Sequence, residues 1–310
     1  MATVLAWLRL VRIPNHATAV ADVLAGFLIC SQAQTIEWPA PSLWLVIAAS
    51  VSFYASGMVL NDVFDYQLDR IERPERPLPS GRISLSTAAR VANVLLALGS
   101  ILSCATAAVS GYSSVALVGA ALTAAIWIYN RNAKRTPLGP LVMGSCRGFN
   151  WLLGMAAAGG PTASYQWLLP LGMTIYVAGI TLYARDEAGE SRRHVLGLAT
   201  LFMLAGLATA GAHSYCLAVN HGGSTWLAGN RLPSWILLWS LLSASILVRA
   251  VLGMIDPSPG RVRAAVGNAI MAIITLDAVL VLAACGEQWA IVVIMLLAPF
   301  LCGRQLVSAT

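Results

Sequence analysis

Charge is what this sequence has least of. Only 10 % of its 310 residues are Asp, Glu, Lys or Arg, against about 25 % in an average soluble domain. With 58 % apolar residues and a mean hydropathy of +0.74, the chain cannot cover a water-soluble globule with polar surface. Histidine is also scarce: His16, His194, His213 and His221 share no ligand spacing, which argues against a histidine metal centre. The six cysteines include no C-x-x-C pair, so neither a zinc site nor a disulfide frame is indicated. They read as small buried hydrophobes.

Whole stretches lack charge altogether. No Asp, Glu, Lys or Arg lies between Arg90 and Arg131, between Arg147 and Arg185, or between Arg193 and Arg231. A bilayer core takes about 20 apolar residues per helix, so the first two runs are each two crossings long. Each has a turn-like middle, Ser110-Gly111-Tyr112-Ser113-Ser114 in one and Gly159-Gly160-Pro161-Thr162 in the other. They predict helical hairpins. Applied throughout, the same reasoning predicts spans near 13–30, 42–60, 88–109, 113–130, 141–158, 166–184, 194–217, 233–252, 264–284 and 288–303, with 264–303 readable as two short spans or one broken one. The expected fold is all-α and polytopic, a bundle of nine to ten transmembrane helices forming one domain over residues 1–310. The first segment, carrying Asp22 and lacking a good cleavage site, reads as an uncleaved helix.

The cations test that assignment. Arg9 and Arg12; Arg70, Arg73, Arg76 and Arg82; Arg131, Lys134 and Arg135; Arg185, Arg192 and Arg193; Arg261 and Arg263; and Arg304 all fall in loops on one side, and Arg231 alone on the other. The positive-inside rule then predicts a cell-membrane protein with both termini in the cytoplasm. A net charge of +6 confined to short loops points to lipid headgroups and anionic substrates. Nucleic acid is not an expected partner.

Eight of the thirteen acidic residues crowd two of these loops. Asp62, Asp65 and Asp69 stand at i, i+3, i+7, one face of a helix, with Glu72 and Glu75 beyond; Asp186 and Glu190 stand at i, i+4, with Glu187 between. A single acidic row is usually a solvated face. Two rows at corresponding hairpin ends on one side are better explained as metal ligands, because stacked carboxylates repel unless cations lie between them. Mg²⁺ takes hard oxygen ligands, usually one or two carboxylates plus substrate phosphates. Arginines around the first row, and Lys134 with Arg135 in the next loop, suit phosphate oxygens. Capping an apolar bundle, they point to the diphosphate of a lipid.

The motif Asn61-Asp62-Val63-Phe64-Asp65-Tyr66-Gln67-Leu68-Asp69 matches N-D-x-x-D-x-x-x-D, and Arg76-Pro77-Leu78-Pro79-Ser80-Gly81 follows it. Together they resemble the first motif of the UbiA prenyltransferase superfamily. Leu10-Val11-Arg12-Ile13-Pro14-Asn15 is similar to that family's opening helix, Tyr129 with Lys134 to its tyrosine–lysine segment, and Asp186-Glu187-Ala188-Gly189-Glu190 occupies its second acidic motif. The likeness covers roughly residues 8–195. It implies a central cavity opening sideways to lipid, a polyprenyl diphosphate donor, Mg²⁺, and transfer of the prenyl group to an aromatic or lipid acceptor. It further implies Asn61, Asp62, Asp65, Asp186 and Glu190 as metal ligands, Asp69, Lys134 and Tyr129 as catalytic residues, and Arg76, Lys134, Arg147, Arg12 and Asn15 as substrate-binding. The short second motif, followed by Ser191-Arg192-Arg193-His194, and a tyrosine–lysine spacing one residue longer than usual resemble the EboC-like branch.

Asp22, Arg147 and Asp277 fall within predicted spans, where an ionisable group costs about 2.5–3.5 kcal/mol. Arg147 therefore either contacts substrate or pairs with Asp22, and Asp277 reads as half of a structural pair. The ten tryptophans read as an interfacial belt. A CDP-alcohol phosphotransferase would hold its aspartates in one continuous segment, unlike these two distant rows. The remaining alternative is a UbiA-like lipid-diphosphate binding or transport protein with weakened catalysis.

Overall fold

The computed structural model of the chain describes residues 2–31, 40–185, 192–221 and 225–308. All regular structure among them is helical: α1 (Ala2–Leu10), α2 (Ile13–Cys30), α3 (Pro41–Phe64), α4 (Tyr66–Glu72), α5 (Leu85–Ser110), α6 (Ser114–Arg131), α7 (Gly139–Ala157), α8 (Leu168–Tyr183), α9 (Arg193–His221), α10 (Leu232–Ile255), α11 (Pro259–Cys285), α12 (Glu287–Ile294) and α13 (Leu297–Ser308). The charge-free runs are hairpins, as their turn residues predict. Gly111 closes α5 at φ 79°, and Gly159 and Gly160 end α7 at 102° and 87°, backbone that a side chain would strain.

Among the described residues eight segments are long and apolar enough to cross a membrane: α2, α3, α5, α6, α9, α10, α11 and the stretch Glu287–Gln305. The hairpin of α7 and α8 completes ten helical segments; α7 carries Arg147 and Asn150, and α8 has only 16 residues. The ambiguity at 264–303 resolves into one full-length helix, α11, and a second segment broken between α12 and α13. The protein is a multi-pass membrane protein.

Burial orders these helices from centre to lipid. Within its apolar window α2 is 83 % buried, whereas α10 is 22 % and Glu287–Gln305 17 %. Leu237, Leu241 and Val248 of α10 face outward, as lipid-facing side chains should when tails are as apolar as leucine. At the centre, α2 lies directly on α7. A Cβ on Gly26 would meet the Trp151 carbonyl oxygen at 2.6 Å, and one on Gly154 would collide with the Val23 carbonyl. Small residues permit this backbone contact, and it brings Asp22 against Arg147.

The tryptophans depart from the belt reading. Trp44 and Trp167 are exposed near helix ends, but Trp151 is fully buried and Trp235 and Trp239 stack inside the bundle at 5.4 Å. The Trp235 indole N–H donates to the Val279 carbonyl at 2.9 Å. A helix-end position does not reveal which face of the helix carries the ring.

Candidate active site

The first acidic motif straddles a helix break. α3 stops at Phe64 and α4 starts at Tyr66, with Asp65 between them at φ −89°, ψ 0°. This corrects the expectation of one uninterrupted helical face. The interruption is slight, because the Asp65 N–H still donates to the Asn61 carbonyl at 3.1 Å and the Asp69 N–H to the Asp65 carbonyl at 2.8 Å. The three carboxylates stay together and stay buried, at 7 %, 9 % and 4 % exposure for Asp62, Asp65 and Asp69.

Buried carboxylates persist only with partners, and each of these has one. Arg76 bonds Asp69 at 2.7 Å and lies 3.7 Å from Asp62. Arg12 reaches Asp62 at 3.5 Å from the junction of α1 and α2. It does so from left-handed backbone, φ 53° and ψ 53°, a conformation costing a non-glycine residue on the order of 1 kcal/mol. The Lys134 ammonium sits on Asp65 and donates to Asn61 Oδ1 at 3.0 Å. Lys134 is placed by a single 3₁₀ turn, Ala133–Arg135, where α6 ends; the extra residue in the tyrosine–lysine spacing falls at that junction.

These contacts tune the cations. Burial lowers the Lys134 ammonium below lysine's ordinary value, with the Asp65 contact opposing it in part. Burial acts against Arg76 as well, but its hydrogen bond to Asp69 and the charges of Asp62, Asp69 and Asp65 prevail and hold it above the usual arginine value.

Beneath the motif lies a cavity of about 370 Å³ walled by α2, α3, α6, α7, α8 and α11. Arg12, Asn15 and Tyr129 line it, as does Arg147. Arg147 pairs with Asp22, as one of its two readings had it, and also lines the cavity. Its Nε lies 2.5 Å from Asp22 Oδ2, and its Nη1 and Nη2 donate to Thr18 Oγ1 at 3.2 Å and the Thr18 carbonyl at 2.7 Å. Asn150 donates to Asp22 Oδ2 at 3.0 Å and to the Ala19 carbonyl at 2.9 Å, and Ser50 donates to Asn150 Oδ1 at 2.7 Å. Asp277 abuts Asp22.

The structure thus gathers Asn61, Asp62, Asp65, Arg76, Lys134 and Arg12 in one cluster, which meets the cavity through Arg12, with Asn15, Tyr129 and Arg147 on the cavity walls. Asp69 is held by Arg76 and does not line the cavity. Asp186 and Glu190 lie outside the described residues. Among the described residues no three His, Cys, Asp or Glu side chains form a metal-binding group. The donor chemistry nevertheless suits a hard cation: Asp65 Oδ1 is buried with no hydrogen-bond partner among them. Thr18, Ser50 and Asn150 went unrecognised in the sequence. Asn150, one helical turn after Arg147 inside an apolar segment, was the available signal.

Comparison with known proteins agrees with this arrangement. The profile described as the UbiA prenyltransferase family matches residues 19–274, extending the likeness well past residue 195. A digeranylgeranylglyceryl phosphate synthase of Methanoculleus marisnigri is 30 % identical over 278 residues, covering 87 % of this chain and 94 % of its own. That of Metallosphaera sedula is 31 % identical over 204 residues, 63 % and 67 % of the two chains. Among solved structures, a digeranylgeranylglyceryl phosphate synthase structure aligns over 93 % of this chain with a TM-score of 0.65 at 21 % identity. A UbiA homologue from Archaeoglobus fulgidus bound to DMAPP and Mg²⁺ aligns over 93 % with a TM-score of 0.53 at 13 % identity. With its motifs, helical bundle and matched profile in agreement, the chain belongs to the UbiA prenyltransferase family.

Proposed function

We propose that this prenyltransferase takes a polyprenyl diphosphate together with Mg²⁺ at the acidic end of the cavity and transfers the prenyl group to an aromatic or lipid acceptor. The observation that carries this is the charge balance of the site. Three cations, Arg12, Arg76 and Lys134, are already matched by three carboxylates, Asp62, Asp65 and Asp69. A multiply charged diphosphate entering so buried a cluster needs further positive charge, which divalent cations bring.

Asn61, Asp62 and Asp65 would hold the metal from one side, and Asp186 and Glu190, from the second acidic motif, would complete its ligands. Bound Mg²⁺ supplies the charge that stabilises the departing diphosphate. Lys134, released from Asp65, and Arg76, still held in place by Asp69, turn to the diphosphate oxygens. The allylic C–O bond breaks with its electron pair going to diphosphate. The Tyr129 ring on the cavity wall stabilises the allylic cation through its π face, and the acceptor attacks C1 as its proton passes to solvent or diphosphate. The basic loops support a cytoplasmic position for this end and for both termini.

Incubating the purified protein with Mg²⁺ and a labelled prenyl diphosphate tests the reading. Metal-dependent diphosphate release, abolished by Asp65→Asn, is expected. Tight binding without release under any acceptor supplied would replace it with the carrier reading.

A further inference from the structure

Among the described residues Arg147 and Arg12 are the charged side chains lining the cavity; Arg12 is held by Asp62, and the proposed transfer leaves the use of Arg147 open. We propose that Arg147, clamped by Asp22 and Thr18, is the docking point for an uncharged oxygen function of the prenyl acceptor, a hydroxyl, phenol or carbonyl, with Asp22 as its positioning residue. The proposal rests on the acceptor-dependent transfer above and names the chemical class of that acceptor.

Donor accounting comes first. A guanidinium carries five N–H groups. Nε faces Asp22, and Nη1 and Nη2 each spend one N–H on Thr18. Among the described residues one N–H on each terminal nitrogen has no protein acceptor, and Arg147 lines the cavity. An N–H left free on that wall suits an acceptor oxygen. The wall is rigid, because the clamp comes from a helix packed backbone to backbone on α7.

Charge decides which oxygen. Asp22 is fully buried 2.5 Å from Arg147, and fully buried Asp277 abuts Asp22. Whatever charge Asp277 bears, the three groups together are neutral or negative. Asp22 and Asp277 lie against each other, and among the described residues Arg147 is the one cation beside them. An anionic headgroup here would lose its hydration against a site with no net positive charge, whereas a neutral oxygen gains a charge-assisted bond without that cost. The cations assigned to phosphate oxygens, Arg76 and Lys134, lie around the acidic motif instead.

The test compares two lipids differing by one phosphate, monoolein and oleoyl lysophosphatidic acid, retained by the protein in native mass spectrometry. Geranylgeranyl thiodiphosphate and Mg²⁺ are added first to fill the donor end. The wild type should retain monoolein at least tenfold better. Arg147→Gln should lower monoolein retention roughly tenfold to a hundredfold, the range of a charge-assisted bond. Asp22→Asn, which leaves Arg147 without its counter-ion, should reverse the preference toward the phosphate lipid. Thr18→Val removes a clamp without changing charge and should weaken monoolein retention severalfold, so a folding defect in the charge variants leaves two measurements in hand. Equal retention of both lipids by the wild type, a phosphate preference, or retention indifferent to residue 147 overturns the proposal. Failure of the wild type to retain thiodiphosphate sinks the donor reading instead, and the lipid comparison repeated without donor still judges Arg147.

Discussion

Replacing Lys134 by Met should change two affinities in opposite directions. In the ligand-free site the ammonium occupies Asp65 and Asn61, the side chains assigned to the metal. Lys134 already holds Asp65 Oδ2 and Asn61 Oδ1, so Mg²⁺ taking those oxygens must displace it, and the two compete. A hydrogen bond to a charged group contributes about 1.5–3 kcal/mol. Lys134 is only 18 % exposed, so solvent screening leaves much of that in place. Its loss should raise Mg²⁺ affinity of the donor-free protein by roughly tenfold to a hundredfold. Once metal is saturating the same lysine serves the diphosphate, so prenyl diphosphate affinity should fall by a similar factor. Methionine keeps an apolar stem, and Arg135→Met controls for the loss of one loop charge. Isothermal titration of Mg²⁺ without donor, then of donor at saturating Mg²⁺, measures both. Unchanged or weaker metal binding in Lys134→Met would refute the competition, and with it the assignment of Asp65 to the metal.

Asp69→Asn should act through Arg76, weakening prenyl diphosphate binding about as much as Arg76→Met while leaving donor-free Mg²⁺ affinity near wild type; a loss of metal binding in titration would make Asp69 a ligand. Asp65→Asn removes a carboxylate with a free oxygen and should abolish Mg²⁺-dependent donor binding, so full binding by this variant would show the acidic row to be structural. Gly154→Ala drives a methyl into the Val23 carbonyl and should cost about 1–3 kcal/mol, read as a lower melting temperature in detergent, with loss of the cavity network. Cysteines at Glu72 and Tyr112 in a background without the native six should label from opposite sides of the membrane, Glu72 from the cytoplasm. Labelling from the same side would contradict the loop charges.

Much of this protein was legible because a bilayer imposes simple rules on a chain. Backbone groups in hydrocarbon must bond internally, so runs such as 91–130 could only be helices, and Gly111, Gly159 and Gly160 marked where they reverse. The N-D-x-x-D-x-x-x-D motif was equally plain, since its spacing stacks carboxylates and cations surround it. Other features are settled by contacts between segments distant in the chain. That Lys134 covers Asp65, and Arg12 reaches Asp62 from left-handed backbone, depends on how α2, α3 and the turn after α6 meet. The break at Asp65 is invisible in a periodicity that passes straight through it. Hydropathy could not separate the buried faces of Trp151 and Trp235 from an interfacial belt. Sequence posed Arg147 as a choice between substrate and Asp22. The backbone contact at Gly26 and Gly154 decides the second half, because it presses Asp22 onto the guanidinium of a residue that also lines the cavity.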